Sequence, residues 1–153
     1  MLVGSGAQTD RIRELLGPDV THLGRQSQDR LAQVYAGCDV FAFPSHTETV
    51  GNVVAEAMAC GLPVVLPEHA ETTQWLTAPG HDGLVVRDDT PEGWARALES
   101  LLVRPESLRL MGRRAARTAR TRHATWTQVL REDLLPVWHE AAEVVRRAAV
   151  GRL

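Results

Sequence analysis

Residues 41–65 read FAFPSHTETVGNVVAEAMACGLPVV. Apolar residues 40–43 form a short strand, stopped by Pro44-Ser45. A polar loop follows, then a helix from about Asn52 to Ala59 that ends at Gly61. Residues 63–66 begin the next strand. Strand, loop, helix and strand within 25 residues leave room only for a parallel crossover, which makes this an α/β chain.

The same alternation extends in both directions. Strands are expected at 2–3, 20–23, 40–43, 63–66 and 83–86. Helices are expected at 8–16, closed by Gly17-Pro18, and from a Ser27 cap to Ala36, with a helical turn at 70–76. From Thr90 onward the pattern is helical. Thr90-Pro91-Glu92 opens one helix, Pro105 a second, and residues 124–147 form a third with a kink expected at Pro136. The expected fold is a Rossmann-like parallel sheet of about five strands flanked by helices, with a helical C-terminal appendage. Residues 1–123 form the body and 124–153 the final helix and tail.

Composition bounds the rest. A chain of 153 residues is one domain's length, and 44% apolar with 24% charged residues supports a packed core. All 17 basic side chains are arginine, so lysine chemistry is excluded and any phosphate clamp must use arginine, backbone amides or a helix N-terminus. Residues 1–103 hold 6 arginines and 14 acids, whereas residues 104–153 hold 11 arginines and 5 acids. The net charge of −2 and absence of an aromatic row among the C-terminal arginines argue against a nucleic-acid partner. An anionic membrane surface is the weaker reading of that basic stretch, and a solvated helix face the plainer one. Cys38 and Cys60 lie in no metal-binding spacing and read as small, reduced, buried residues. The start shows no apolar leader and no stretch reaches a membrane span, so a cytoplasmic address is expected.

Chemistry concentrates where the strand at 40–43 ends, since ligands of doubly wound sheets sit at the carboxyl ends of strands. Glu48 stands in the loop and Glu56 about one turn into the helix. Gly51 lets the backbone approach a ligand, and the first free amides, from Val50 to Val53, form an anion site. A nucleotide sugar reconciles two carboxylates with an anion site: its diphosphate takes the amides while its hydroxyls donate to the acids. The bland alternative leaves Glu48 as a solvated or capping loop acid and Glu56 on a helix surface. Ser45 and His46 flank the site, with His46 read as a solvated loop residue.

Glu48-x7-Glu56 in this setting resembles the signature of glycosyltransferase family 4, retaining enzymes of GT-B architecture with two Rossmann-like domains facing a cleft. The likeness runs over residues 2–140: LVGSG at 2–6, VTHLGRQSQDRLAQVYAGCDVFAFPS at 20–45, HDGLVVRDDTPEGWARAL at 81–98, and HATWTQVL at 123–130. It implies the C-terminal, donor-binding half of such an enzyme. Glu48 would then be the catalytic carboxylate, stabilising positive charge on the sugar. Thr49, Val50, Gly51 and Asn52 would contact the donor sugar and phosphates, Glu56 the ribose, and Gly24, Arg25 and Gln26 the nucleobase. Val50 replaces the family's usual aromatic. No DxD motif occurs, since Asp88 and Asp89 are adjacent; neither cofactor nor metal is expected.

The family's domain normally opens with a further strand, a Gly-Arg pair and a lysine that clamps the diphosphate. None of these matches this sequence, and losing such a clamp costs about 3 kcal/mol of transition-state stabilisation. The implied function is transfer of a hexose from a UDP- or GDP-sugar. An N-terminal acceptor domain is the expected partner, and the chain alone is expected to be inactive. A nucleotide-sugar-binding module without transfer is the alternative. Leu130, Leu134, Trp138, Ala141 and Val145 recur at helical spacing and predict self-association or docking of the last helix.

Overall fold

The computed structural model describes residues 1–48, 50–122 and 124–150, the side chains of Val145 and of residues 148–150 excepted. Its centre is a parallel sheet of three strands, β1 (Phe41–Ala42), β2 (Val64–Pro67) and β3 (Gly83–Val86), in that order. Phe41 pairs with Val64, and Val64 with Gly83. β2 is fully buried, and its side chains alternate between two cores. Val64 and Leu66 join Val54, Ala57, Met58 and Tyr35 on one face, while Val65 joins Val86, Leu101 and Leu108 on the other. Both faces are therefore covered, as a parallel sheet requires.

The sheet is shorter than expected. Segments 2–3 and 20–23 meet only at a parallel bridge, Leu2 to His22, and neither joins β1, which is an edge strand. Leu2 donates to Thr21 O and Leu23 to Leu2 O, and Gly4 donates to Gly24 O. The physical reason is local: each segment has a partner on one side at most, and helix α1 (Thr9–Leu16) between them buries no residue. The parallel α/β architecture stands, and among the described residues three strands and the Leu2–His22 bridge take the place of five strands.

The helices follow their signals closely. α2 (Gln28–Ala36) begins at Ser27, whose hydroxyl accepts from the Arg30 amide. α3 spans Asn52–Ala59 and Glu71–Trp75 forms a short 3₁₀ helix. α4 (Pro91–Leu102) is capped by Thr90 accepting from the Gly93 amide, and α5 (Pro105–Arg122) begins at its proline. Gly112 lets α5 touch the turn after α3; any Cβ there would collide with the Gly61 carbonyl.

The final segment starts as α6 (Trp126–Gln128), closed by a Thr125/Gln128 capping box, and continues as α7 (Leu135–Val150). Between them lies a π turn, Val129–Leu134, in place of the expected kink. Pro136 has no N–H to donate and its ring crowds the preceding turn, and a widened turn relieves that crowding. Trp126, Leu130, Leu134, Val137 and Trp138 on this segment are exposed, whereas Val145's side chain lies outside the described residues. No described helix is long and apolar enough to cross a membrane.

Two local expectations change. Cys38 and Cys60 are both unpaired thiols, but Cys60 is exposed and Cys38 only half-buried. A residue just past a helix end, beside the Gly61 turn, stays within reach of solvent.

Candidate functional site

The loop from Pro44 to Val50 leaves the carboxyl end of β1 and enters α3 at Gly51. Gly51 has φ 67° and ψ 47°, the left-handed region, and is buried. A Cβ at this position would run into Cγ2 of Thr72. Glycine is required here both for backbone conformation and for space.

Neither α1 nor α3 has a side-chain cap at its start, and of the two only α3 begins at a buried glycine. Ser27, Thr90 and Thr125 place a hydroxyl on the first amides of their helices, but no side chain caps α3. Gly51 supplies only its carbonyl, to the Val54 amide at 2.9 Å. The amides of Asn52 and Val53 at the positive end of the helix are thereby left for a ligand. Beside them, the hydroxyl of Thr72 is buried without a partner in the protein.

The loop is tied down at two points. Trp75 Nε1 donates to the Val50 carbonyl at 2.6 Å. His46 Nε2 lies 2.7 Å from Asp89 Oδ2, and Trp94 Nε1 donates to Asp89 Oδ1 at 2.7 Å. The Trp94 bond above all holds Asp89 below its ordinary 3.8; burial pushes the other way, and His46 adds smaller downward contributions. His46 is thus half-exposed but fixed by a carboxylate 43 residues away, and is not free in solvent.

Glu56 faces α2. Its charge acts on the Tyr35 hydroxyl, which donates to the Val53 carbonyl at 3.4 Å. Burial chiefly, then the Glu56 charge, push Tyr35 up to about 12. An open cavity of about 320 Å³ runs between α2 and α3, with Gln28, Tyr35, Glu56 and Cys60 on its walls. Glu56 is half-buried on the surface of α3 and lines this open cavity.

The remaining assigned residues are placed as follows. Glu48 is half-buried in the loop and does not line that cavity. Val50 is 47% exposed and Asn52 is exposed, with their backbones at the α3 entrance. Thr49 lies outside the described residues. Gly24 has φ 64°, Arg25 is exposed, and the Gln26 side-chain amide is turned back onto the Leu23 carbonyl at 2.6 Å. That turn ends two residues before Gln28, on the rim of the Glu56 cavity. Sequence reasoning missed Tyr35, Trp75, Thr72, Asp89 and Trp94. Rarity was the available signal for one of them, since Tyr35 is the only tyrosine in the chain.

Comparison with known proteins bears on this site. Residues 1–104 match the family model described as glycosyl transferases group 1. The D-inositol 3-phosphate glycosyltransferase of Stackebrandtia nassauensis is 37% identical over 134 residues, which are 87% of this chain and 29% of that protein. The chain thus spans less than a third of the length of this relative. Among solved structures, sucrose-phosphate synthase from Thermosynechococcus elongatus superposes with a TM-score of 0.78 at 29% identity, over 90% of this chain and 35% of that one. The Anabaena protein HepE, solved with UDP and glucose, superposes with a TM-score of 0.67 over 95% of this chain and 40% of that one. At 23% identity HepE supports the fold alone. A parallel α/β body, an uncapped helix behind a glycine and a match over two-thirds of the sequence agree: the chain belongs to the group 1 glycosyl transferases.

Proposed function

We propose that this chain is the donor-binding half, in C-terminal position, of a retaining family 4 glycosyltransferase that moves a hexose from a UDP- or GDP-sugar to an acceptor. The observation that carries the proposal is the uncapped start of α3 at a glycine that admits no side chain, with Glu48 before it and Glu56 beyond it. The donor diphosphate takes the Asn52 and Val53 amides and the positive end of α3. The ribose hydroxyls donate to Glu56, whose place beside Tyr35 keeps it turned toward the α2–α3 cavity. The turn at Gly24, Arg25 and Gln26 borders the base through backbone groups.

In the transfer step the bond from the sugar's anomeric carbon to the phosphate oxygen breaks. The departing diphosphate accepts the acceptor hydroxyl's proton, and the acceptor oxygen bonds the same face of the sugar. Glu48 stabilises the positive charge that develops on the sugar, and helix amides in a fixed arrangement stabilise the leaving group. No metal or cofactor enters this scheme. The acceptor surface comes from a further, N-terminal domain, consistent with relatives more than three times as long as the matched region. The exposed apolar residues of the terminal segment dock on that domain or on a second copy.

Calorimetry with UDP, GDP and UDP-glucose tests this reading. Binding is expected without transfer, and Glu56→Ala is expected to weaken it by about 10- to 100-fold, the loss of a charge-assisted hydrogen-bond pair. Heats indistinguishable from dilution for all three ligands would remove the proposal. A binding module with no catalytic partner is the second reading. Turnover on mixing with a candidate acceptor domain decides against it.

A further inference from the structure

At the opposite end of α3 from Gly51, a groove of about 600 Å³ opens between the Ala59–Gly61 turn and α5. Arg109, Arg113 and Arg120 line one side, with Cys60, Gly61 and Ala116 on its floor and walls. At about 100° per residue these arginines fall within about 40° of each other around α5, and at 1.5 Å per residue they spread over about 16 Å of its length. Gly112 fixes this arrangement by seating α5 directly on the Gly61 carbonyl.

These charges are not neutralised by the protein. Arg13, Arg87, Arg96 and Arg147 each meet a carboxylate. Among the described residues, none of the six arginines of α5 makes an ion pair, although acids outnumber bases in the chain. Arg120 Nε and Arg122 Nη1 donate only to backbone carbonyls, of Ala116 and Leu76. Like charges one turn apart on a helix repel. Such a row is relieved by an external anion, and guanidinium forks match phosphate oxygens in pairs.

We propose that this groove, which meets the Glu56 cavity at Ala59 and Cys60 but is walled by α5 instead of α2, is a second anion site for a ligand that presents several phosphate groups in a row. A single phosphate ion cannot span 16 Å of helix, whereas a polyphosphate chain or neighbouring phospholipid headgroups can. No aromatic residue lines the groove to stack a base, so phosphate is the recognised group. Cys60 and Gly51 are nine residues apart along α3, about 13 Å, which keeps this site clear of the α3 N-terminus.

Cys60 supplies the readout, because it is exposed where this groove meets the Glu56 cavity, and the arginine and Glu56 variants tell the two apart. Alkylation of Cys60 and Cys38 by iodoacetamide is followed separately by peptide mass spectrometry on the full chain. One arm adds long-chain inorganic polyphosphate, the other vesicles of phosphatidylglycerol and phosphatidylcholine. Slower Cys60 alkylation that saturates with either probe is expected, with Cys38 unchanged. Arg109→Gln, Arg113→Gln and Arg120→Gln together should raise the half-protecting concentration by about tenfold or more, equivalent to about 1.4 kcal/mol. Arg113→Gln alone should show a smaller shift in the same direction if the triple variant is poorly folded. Protection must survive Glu56→Ala. Protection by polyphosphate identifies a soluble source, and protection by vesicles alone a lipid source. No protection by either probe, protection unchanged in the arginine variants, or protection lost with Glu56→Ala overturns the proposal.

Discussion

The methyl group of Thr72 fills the space that a side chain on Gly51 would need, so the entrance to α3 is shaped by a residue 21 positions later in the sequence. Gly51→Ala then combines a left-handed backbone penalty with overpacking, about 2–4 kcal/mol in sum. Urea denaturation should show that loss, and nucleotide binding should fall with it. Thr72→Ser removes the offending methyl and should recover part of the stability in the Gly51→Ala background. Purely additive effects of the two substitutions would contradict the contact.

Asp89 links the loop carrying His46 to Trp94 on α4. Its folded pKa lies below 3.8, so the stability it contributes is present above that value and disappears as pH falls through the lower, folded value. Carboxyl carbon NMR should place the Asp89 midpoint under 3.8. In Asp89→Asn, resonances of residues 44–48 should broaden while those of β2 stay sharp. A midpoint at or above 3.8 would contradict the assignment.

Tyr35 reports on Glu56 without any label. As the sole tyrosine it alone supplies the tyrosinate absorbance change in an alkaline titration, expected near 12. Glu56→Gln should lower that midpoint without restoring 10, because burial is the larger cause. The raised value favours the neutral phenol in the folded state. Its contribution is complete below pH 10 and is lost as pH climbs through about 12. An unchanged midpoint in Glu56→Gln would separate the two groups.

Asp82 anchors the loop before β3 to α5. Its buried carboxylate accepts from the Thr77 amide at 2.9 Å and from the Thr118 hydroxyl at 2.7 Å. Burial pushes its pKa up, but the bonds from Thr118, Thr77 and the Ala78 amide together outweigh that and hold it below 3.8. Thr118→Val should cost about 1–3 kcal/mol, the price of leaving a buried charge short of a donor. The variant should also titrate closer to 3.8 and lose stability at a higher pH on acidification. Equal acid sensitivity of the two proteins would count against the role of Thr118.

The legible parts of this fold were those decided over a few residues. Ser27, Thr90-Pro91 and Pro105 announce helix starts because a cap or a missing N–H acts within one turn. β2 and β3 were visible because both carry unbroken apolar runs. Segments 2–3 and 20–23 looked equally strand-like, but a strand's length depends on its neighbours, and β1 has none on its outer side. The site showed the same division. Gly51 and the glutamates stand in one short stretch, whereas Asp89, Thr72 and Tyr35 reach it from 21 to 43 residues away, beyond any local pattern. The exposure of Cys60 likewise depends on where α5 packs.

α3 ends its N-terminus on a glycine, and an anion that takes its amides becomes part of the helix. Occupancy of the site and persistence of the fold are then a single equilibrium. At a nucleotide concentration one hundred times the dissociation constant the folded state gains about 2.7 kcal/mol, a sizeable share of the 5–15 kcal/mol of a typical domain. The amount of this protein that survives in a cell would follow the supply of its ligand, and a melting curve would serve as a gauge of that supply.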